Sequence, residues 1–315
     1  MIFLLKIIAF STCWFNNIGA TGSNWKVIQN LIEDRKIIIA ENKPLRETYQ
    51  NDESNISLYQ LNSLLNYARK NGLTIDMDNQ LPAIVGESNP ENIDSIHFAF
   101  ATKEEIKNNT EWNNYLTTNL LNDENFSIKY GDINENLFGG ISNFPKGTEI
   151  SVVENFFDGY VKWAKRITIW DPYMLESNNI EGTIRFLDFI NENNLSLKQI
   201  KFVTKPNHKH GTNDDEKKNY FRDVFKSRIR NHPIFENIEL VEIGWQGNAQ
   251  RYLSFGNDGS EITLSFSGQI KSISELFLLR KGRLTSKNFS YSLLEKEMSS
   301  ELIRSPNYEI VNLEK

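Results

Sequence analysis

From Val152 to Ser267 apolar residues recur first at helical spacing and then in short continuous runs, and this alternation narrows the fold more than any other feature of the chain. Strand and helix periods taken in turn call for a sheet whose strands are joined by crossover helices, which is the α/β arrangement. Val152–Ala164 reads as an amphipathic helix, Arg166–Trp170 as a strand, and Ile180–Glu192 as a helix carrying Ile184, Leu187, Phe189 and Ile190. Ile200–Thr204 is the next strand, Asp215–Arg230 a basic helix and Ile238–Trp245 a further strand. Arg251–Phe255 and Glu261–Ser267 flank the turn Gly256-Asn257-Asp258-Gly259 as a hairpin. A largely parallel sheet is expected here, and a polar segment follows from about Lys287.

The first half has weaker periodicity. Met1–Phe15 is apolar but interrupted by Lys6, with no basic residue before it and no small-residue cleavage site after it, so an intrinsic first strand is expected rather than a signal peptide. Ile37–Ala40 is a strand. Ser57–Lys70 places Leu58, Leu61, Leu64, Leu65 and Ala68 on one helical face ahead of a Gly72 stop. Ile96–Ala101 reads as a buried strand, and Thr102 with Glu105 forms a capping-box pattern for a helix running to about Leu121. Between Gly131 and Thr148 four glycines and a proline replace periodicity, which marks a domain boundary. The expected organisation is an α/β or α+β domain over 1–146, a domain with a mixed sheet and flanking helices over 147–285, and a polar segment over 286–315.

At 315 residues and 39% hydrophobic content the chain can bury two modest cores. Its net charge of −6 argues against a general nucleic-acid coat or a polybasic membrane anchor, and the acidity lies in residues 1–150, where 12 Lys and Arg face 19 Asp and Glu. The single cysteine, Cys13, permits no intrachain disulfide and suits a reducing compartment, so a cytoplasmic location is expected. No stretch reaches the roughly 18 apolar residues of a membrane-spanning helix. Gly-x-Gly-x-x-Gly and Walker loops, the Gly-x-Ser-x-Gly elbow and the His-Glu-x-x-His helix are all absent from the sequence.

The succession "ENFFDGYVKWAKRITIWDPYM", "IKFVTKP" and "RYLSFGNDGSEITLSFSG", with helices between, resembles the phospholipase D-like domain found at the C-terminus of MIT-domain proteins. Asp171-Pro172-Tyr173 after a strand and Arg251-Tyr252 opening the hairpin are the most specific pieces, and the resemblance spans roughly 150–280. Catalytic members of the wider superfamily use a His-x-Lys motif whose imidazole attacks phosphorus. The corresponding position here reads Ala249-Gln250-Arg251-Tyr252, and a methyl group attacks nothing. The resemblance thus implies a degenerate active site that can still hold an anion, with Arg251, Asp171, Tyr252 and Lys205 as candidates and the Arg251 fork as the main contact. It also implies a homodimer and, through bacterial relatives, a defence role. Asp171 has a second, local explanation, since aspartate before proline initiates a turn.

An enzyme could have moved its nucleophile. Of the four histidines, His97 reads as a packed strand residue and His232, before Pro233, as a turn residue. His208 and His210 leave the Ile200–Thr204 strand at the same sheet edge as Asp171 and are the catalytic candidates for a phosphodiesterase or nuclease. A His-x-His pair can bind zinc with Asp214 or Asp215, yet a polar glycine-containing loop without thiolates fits a solvated loop better. No metal and no cofactor is therefore expected. Lys218, Arg222 and Lys226 recur at four-residue spacing and, with Arg280 and Lys281, could face phosphate backbones or anionic lipids; a solvated helix face is the plainer account. The expected function is a non-catalytic recognition or assembly module for a partner protein, an anionic lipid or nucleic acid. A relocated His208/His210 enzyme and a structural subunit stay open as alternatives.

Overall fold

The computed structural model describes residues 5–11, 14–41, 56–76, 97–108, 127–138, 143–145, 148–174, 179–194, 196–204, 226–243, 251–257, 260–268, 272–277, 279–280, 283–284, 289–293 and 308–311. The chain forms two compact units, Phe3–Gly140 and Ile141–Lys315.

In the first unit five strands, β1 (Lys6–Phe10), β2 (Ile37–Glu41), β3 (Thr74–Asp76), β4 (Phe98–Phe100) and β5 (Ser127–Lys129), form one sheet in the order β3-β2-β1-β4-β5. Every pairing is parallel. This settles the choice between α/β and α+β in favour of a doubly wound α/β unit, with the order reversing between β1 and β4. The runs Lys6-Ile-Ile-Ala-Phe10 and Ile37-Ile-Ile-Ala-Glu41 lack polar alternation because strands of a parallel sheet are covered on both faces. Ile7, Ile8, Ile37, Ile38 and Ile39 are accordingly fully buried.

Helix α1 (Gly22–Glu33) buries Ile28, Leu31 and Ile32, and α2 (Ile56–Lys70) buries Leu64, Leu65 and Ala68. The predicted stop after α2 has a definite geometry. Gly72 sits at φ +64°, its N–H donates to Arg69 O at 2.9 Å and Leu73 N–H donates to Ala68 O at 2.8 Å, the pair of bonds of a Schellman cap. Helix α3 is described over Lys103–Asn108; the rest of the run expected to about Leu121 and the Glu105 side chain lie outside the described residues.

Asn24, 3% exposed, joins the turns that follow β1 and β5. Its Nδ2 donates to Ile18 O (3.1 Å), Thr21 Oγ1 (2.9 Å) and Asp132 Oδ1 (2.8 Å), while its Oδ1 accepts from Ile133 N (2.9 Å). Beside it Trp14 Nε1 donates to Gly131 O at 2.9 Å, with its ring against Phe10 and Phe100. Asn24→Ala leaves the buried Ile133 N–H unpaired and cuts the tie between the two turns, so a loss of about 2 kcal/mol in unfolding free energy is expected by urea titration, with Asn24→Asp, which keeps the acceptor for Ile133 but loses the donors to Ile18 and Asp132, recovering only part of it.

The second unit holds an eight-stranded sheet. Its strands are β6 (Asn143–Phe144), β7 (Arg166–Trp170), β8 (Gln199–Thr204), β9 (Ile238–Ile243), β10 (Arg251–Asn257), β11 (Ser260–Gly268), β14 (Phe289–Leu293) and β15 (Tyr308–Val311), and a separate ribbon pairs β12 (Leu279–Arg280) with β13 (Arg283–Leu284). The order is β15-β9-β8-β7-β10-β11-β14-β6. Only β7, β8 and β9 run parallel; the remaining neighbours are antiparallel. The sheet is thus mixed, as expected for the domain over 147–285, and not largely parallel as the strand–helix alternation alone suggests. The reason is local: β10 and β11 join through a tight hairpin, which can only produce antiparallel neighbours. Within the expected polar segment from 286, Phe289–Leu293 and Tyr308–Val311 are strands of this sheet.

Helices α4 (Ile150–Trp163) and α5 (Ile180–Asn193) pack on one sheet face around Phe157, whose ring meets Phe186, Phe255, Phe266 and Phe277 at centroid distances of 5.8 to 6.4 Å. Asn194 finishes α5 and holds the end of α4 as well, its Nδ2 reaching Val161 O and Ala164 O. On the other face Ser254 and Thr263 share a hydrogen bond of 2.6 Å, and Glu239 accepts from Gln199 and pairs with Lys201.

Candidate functional site

The β7–β10 register fixes the site. Tyr252 pairs with Trp170, so the next antiparallel rung places Arg251, the first residue of β10, beside Asp171 just past the end of β7. Asp171 N–H continues the β7–β8 ladder by donating to Val203 O at 3.0 Å, and the following residue of β8 is Thr204. Strand alternation puts Arg251 with Leu253 and Phe255, Asp171 with Ile167 and Ile169, and Thr204 with Ile200 and Phe202, on the sheet face that α4 and α5 cover. Carboxylate, hydroxyl and guanidinium therefore share one row at the carboxyl end of the parallel strands, the edge at which open α/β sheets hold their ligands.

Asp171 is 1% exposed. Oδ1 accepts from Tyr173 N (2.8 Å), the turn expected from an aspartate before proline. Oδ2 accepts from Ser272 Oγ (2.7 Å) and Ile273 N (2.5 Å), which anchors the 3-10 turn Ile273–Phe277 to the sheet. Ser272 Oγ in turn bonds Ser274 Oγ at 2.7 Å, and both serines are fully buried. Burial pushes the Asp171 carboxyl above its usual value, and the bonds from Ser272, Tyr173 and Ile273 with the Arg251 charge pull it partly back. The Arg251 guanidinium lies over the Tyr173 ring, 5.9 Å from its centroid. Tyr252, 7% exposed, belongs to the sheet, and burial raises its phenol above the ordinary range.

Asp171, Tyr173 and Arg251 are thus brought together. His208, His210, Lys205, Lys218, Arg222 and Lys281 lie outside the described residues, as does the Arg280 side chain. Lys226 is half-buried at the start of a helical stretch over 226–229. The two described histidines have local partners: His97 Nδ1 accepts from Ile7 N at 3.0 Å, and His232 bonds Asp188 through Nε2 at 3.0 Å while Nδ1 accepts from Ile234 N. Among the described residues no three His, Cys, Asp or Glu side chains are grouped to hold a metal ion, and no helix is long and apolar enough to cross a membrane.

Sequence reasoning missed Ser272, Ser274 and Thr204. Ser272 and Ser274 sit about a hundred residues from the aspartate they support, so no local spacing marks them. Thr204 reads as the last residue of a buried strand.

A comparison with known families matches residues 152–242 to the phospholipase D-like domain at the C-terminus of MIT. A phospholipase D-like domain is therefore present in this chain, over the helices and parallel strands that lead to the site. The matched span ends before Ala249–Tyr252. No curated protein matches the chain.

Proposed function

We propose that the chain is a non-catalytic recognition module whose phospholipase D-like domain grips an anionic, phosphate-bearing partner through Arg251. The observation that carries this reading is the state of Asp171: three donors occupy its carboxylate, so it supports the architecture and orients its surroundings instead of exchanging protons with a substrate. The neighbouring position in the row is a guanidinium held over an aromatic ring, which suits phosphate recognition by a planar fork. The sequence offers Ala249 where a nucleophile would stand. A homodimer and a part in bacterial defence belong to this proposal through the resemblance alone, and a cytoplasmic location through the single cysteine.

Two measurements test it. Purified protein is expected to turn over neither a generic phosphodiester nor plasmid DNA, with or without divalent metal. It is expected to bind anionic vesicles or DNA in a salt-sensitive way, with Arg251→Met weakening binding about tenfold or more. Turnover that disappears in a His208→Ala/His210→Ala double variant would replace this reading with a relocated enzyme site.

A further inference from the structure

Thr204 ends β8 next to Asp171, and its Oγ1 is buried with no hydrogen-bond partner among the described residues; the residue is 1% exposed. A buried hydroxyl left unpaired costs stability, whereas a valine of nearly the same shape would fill the position without that cost. Such orphaned polar groups call for an explanation, and they concentrate at functional sites. This one lies at the sheet edge where ligands bind, in the same row as Arg251 and with only β7 between their strands. Two strand spacings separate the backbones by roughly 10 Å. An extended arginine arm together with the width of one phosphate closes that gap. Between them Asp171 is turned toward Ser272, Ile273 and Tyr173, so its lone pairs are engaged away from an incoming anion.

We propose that the Thr204 hydroxyl is the second arm of the anion seat, donating to an oxygen of the same phosphate that Arg251 holds. This inference rests on the reading of Arg251 as the phosphate contact. It goes further in naming the ligand chemistry as a single phosphate taken by one fork and one hydroxyl, and in assigning the unpaired group its partner. Lipid headgroups and nucleic-acid backbones both carry that phosphate.

The test is binding of inorganic phosphate by titration calorimetry, with vesicles containing phosphatidylglycerol and a single-stranded oligonucleotide as two further arms that distinguish the source. Thr204→Val is expected to raise the Tm of the free protein by about 2–4 °C, because the orphan hydroxyl is gone, and to weaken phosphate binding about tenfold. Thr204→Ser, which keeps the hydroxyl, is expected to bind within about twofold of the natural protein by the same reasoning. If Thr204→Val does not fold, Thr204→Ala must show the same loss of affinity. Unchanged affinity in Thr204→Val or Thr204→Ala, alongside loss in Arg251→Met, overturns the role of Thr204 and leaves Arg251 standing. Absence of phosphate, vesicle and oligonucleotide binding by the natural protein overturns both.

Discussion

Asp171→Ala is expected to remove about 3–5 kcal/mol from the unfolding free energy of the Ile141–Lys315 unit, a loss large enough to unfold a marginal domain. The carboxylate is the common acceptor of Tyr173 N, Ser272 Oγ and Ile273 N, and alanine leaves these donors facing a void. Ser272 can turn its hydroxyl to Ser274, but the two backbone amides have no such freedom. Asp171→Asn keeps one acceptor oxygen and points an amide N–H₂ at the remaining donors, so it is expected to lose roughly half as much. Urea unfolding measures both, and a loss under about 1 kcal/mol for Asp171→Ala would show that the carboxylate does not hold the 3-10 turn to the sheet.

The same pair of proteins gives a pH dependence. Burial raises the Asp171 carboxyl above its usual 3.8, so between that value and its folded one the native state binds the proton more tightly than the unfolded chain. The contribution of this group is therefore fully present below the unfolded value and is lost as pH rises through the folded value. The stability advantage of the natural protein over Asp171→Asn, which does not titrate, is expected to narrow as pH climbs from about 4 toward neutrality. Urea midpoints at several pH values check the sign; a gap that widens with pH would mean that the three hydrogen bonds outweigh burial.

Phe157→Ala is the second large effect, expected to cost about 3–5 kcal/mol. Phe157 is fully buried, and its ring joins both helices to β10, β11 and the 3-10 turn through Phe186, Phe255, Phe266 and Phe277. Removing it opens a cavity bordered by these four rings and that of Phe156, which cannot collapse without repacking one another. Phe157→Leu fills most of that volume and is expected to lose about 1–2 kcal/mol. Chemical denaturation distinguishes the two, and equal losses would show that the ring contacts, rather than the filled volume, carry the effect.

Helices α4 and α5 and strands β7, β8, β10 and β11 were legible because each is long enough to display a period: Val153, Phe156, Phe157, Tyr160 and Val161 mark one helix face without ambiguity. The parallel order of the first unit was not, since β3, β4 and β5 are three residues each and show no alternation. The two-residue β6 and the late strands β14 and β15 were hidden for a similar reason, being short segments in polar surroundings whose strand character comes from their neighbours. At the site, Asp171 was readable as a turn former and Arg251 as a candidate contact. What local sequence could not disclose is that Ser272 and Ile273 return to the same carboxylate, because that depends on the register of three strands, β7, β10 and β11.

The sheet of the second unit is completed on both sides of its centre by its latest residues. β14 inserts between β11 and β6, and β15 covers the outer side of β9. On the ribosome, β9 and β11 are therefore made before the strands that will cover their open sides, and at roughly 5–20 residues per second the nascent chain carries those exposed backbone ladders for several seconds. Over that interval it is a substrate for chaperones and for pairing with neighbouring chains, so the yield of native protein should depend on growth temperature and crowding more than its finished core would suggest.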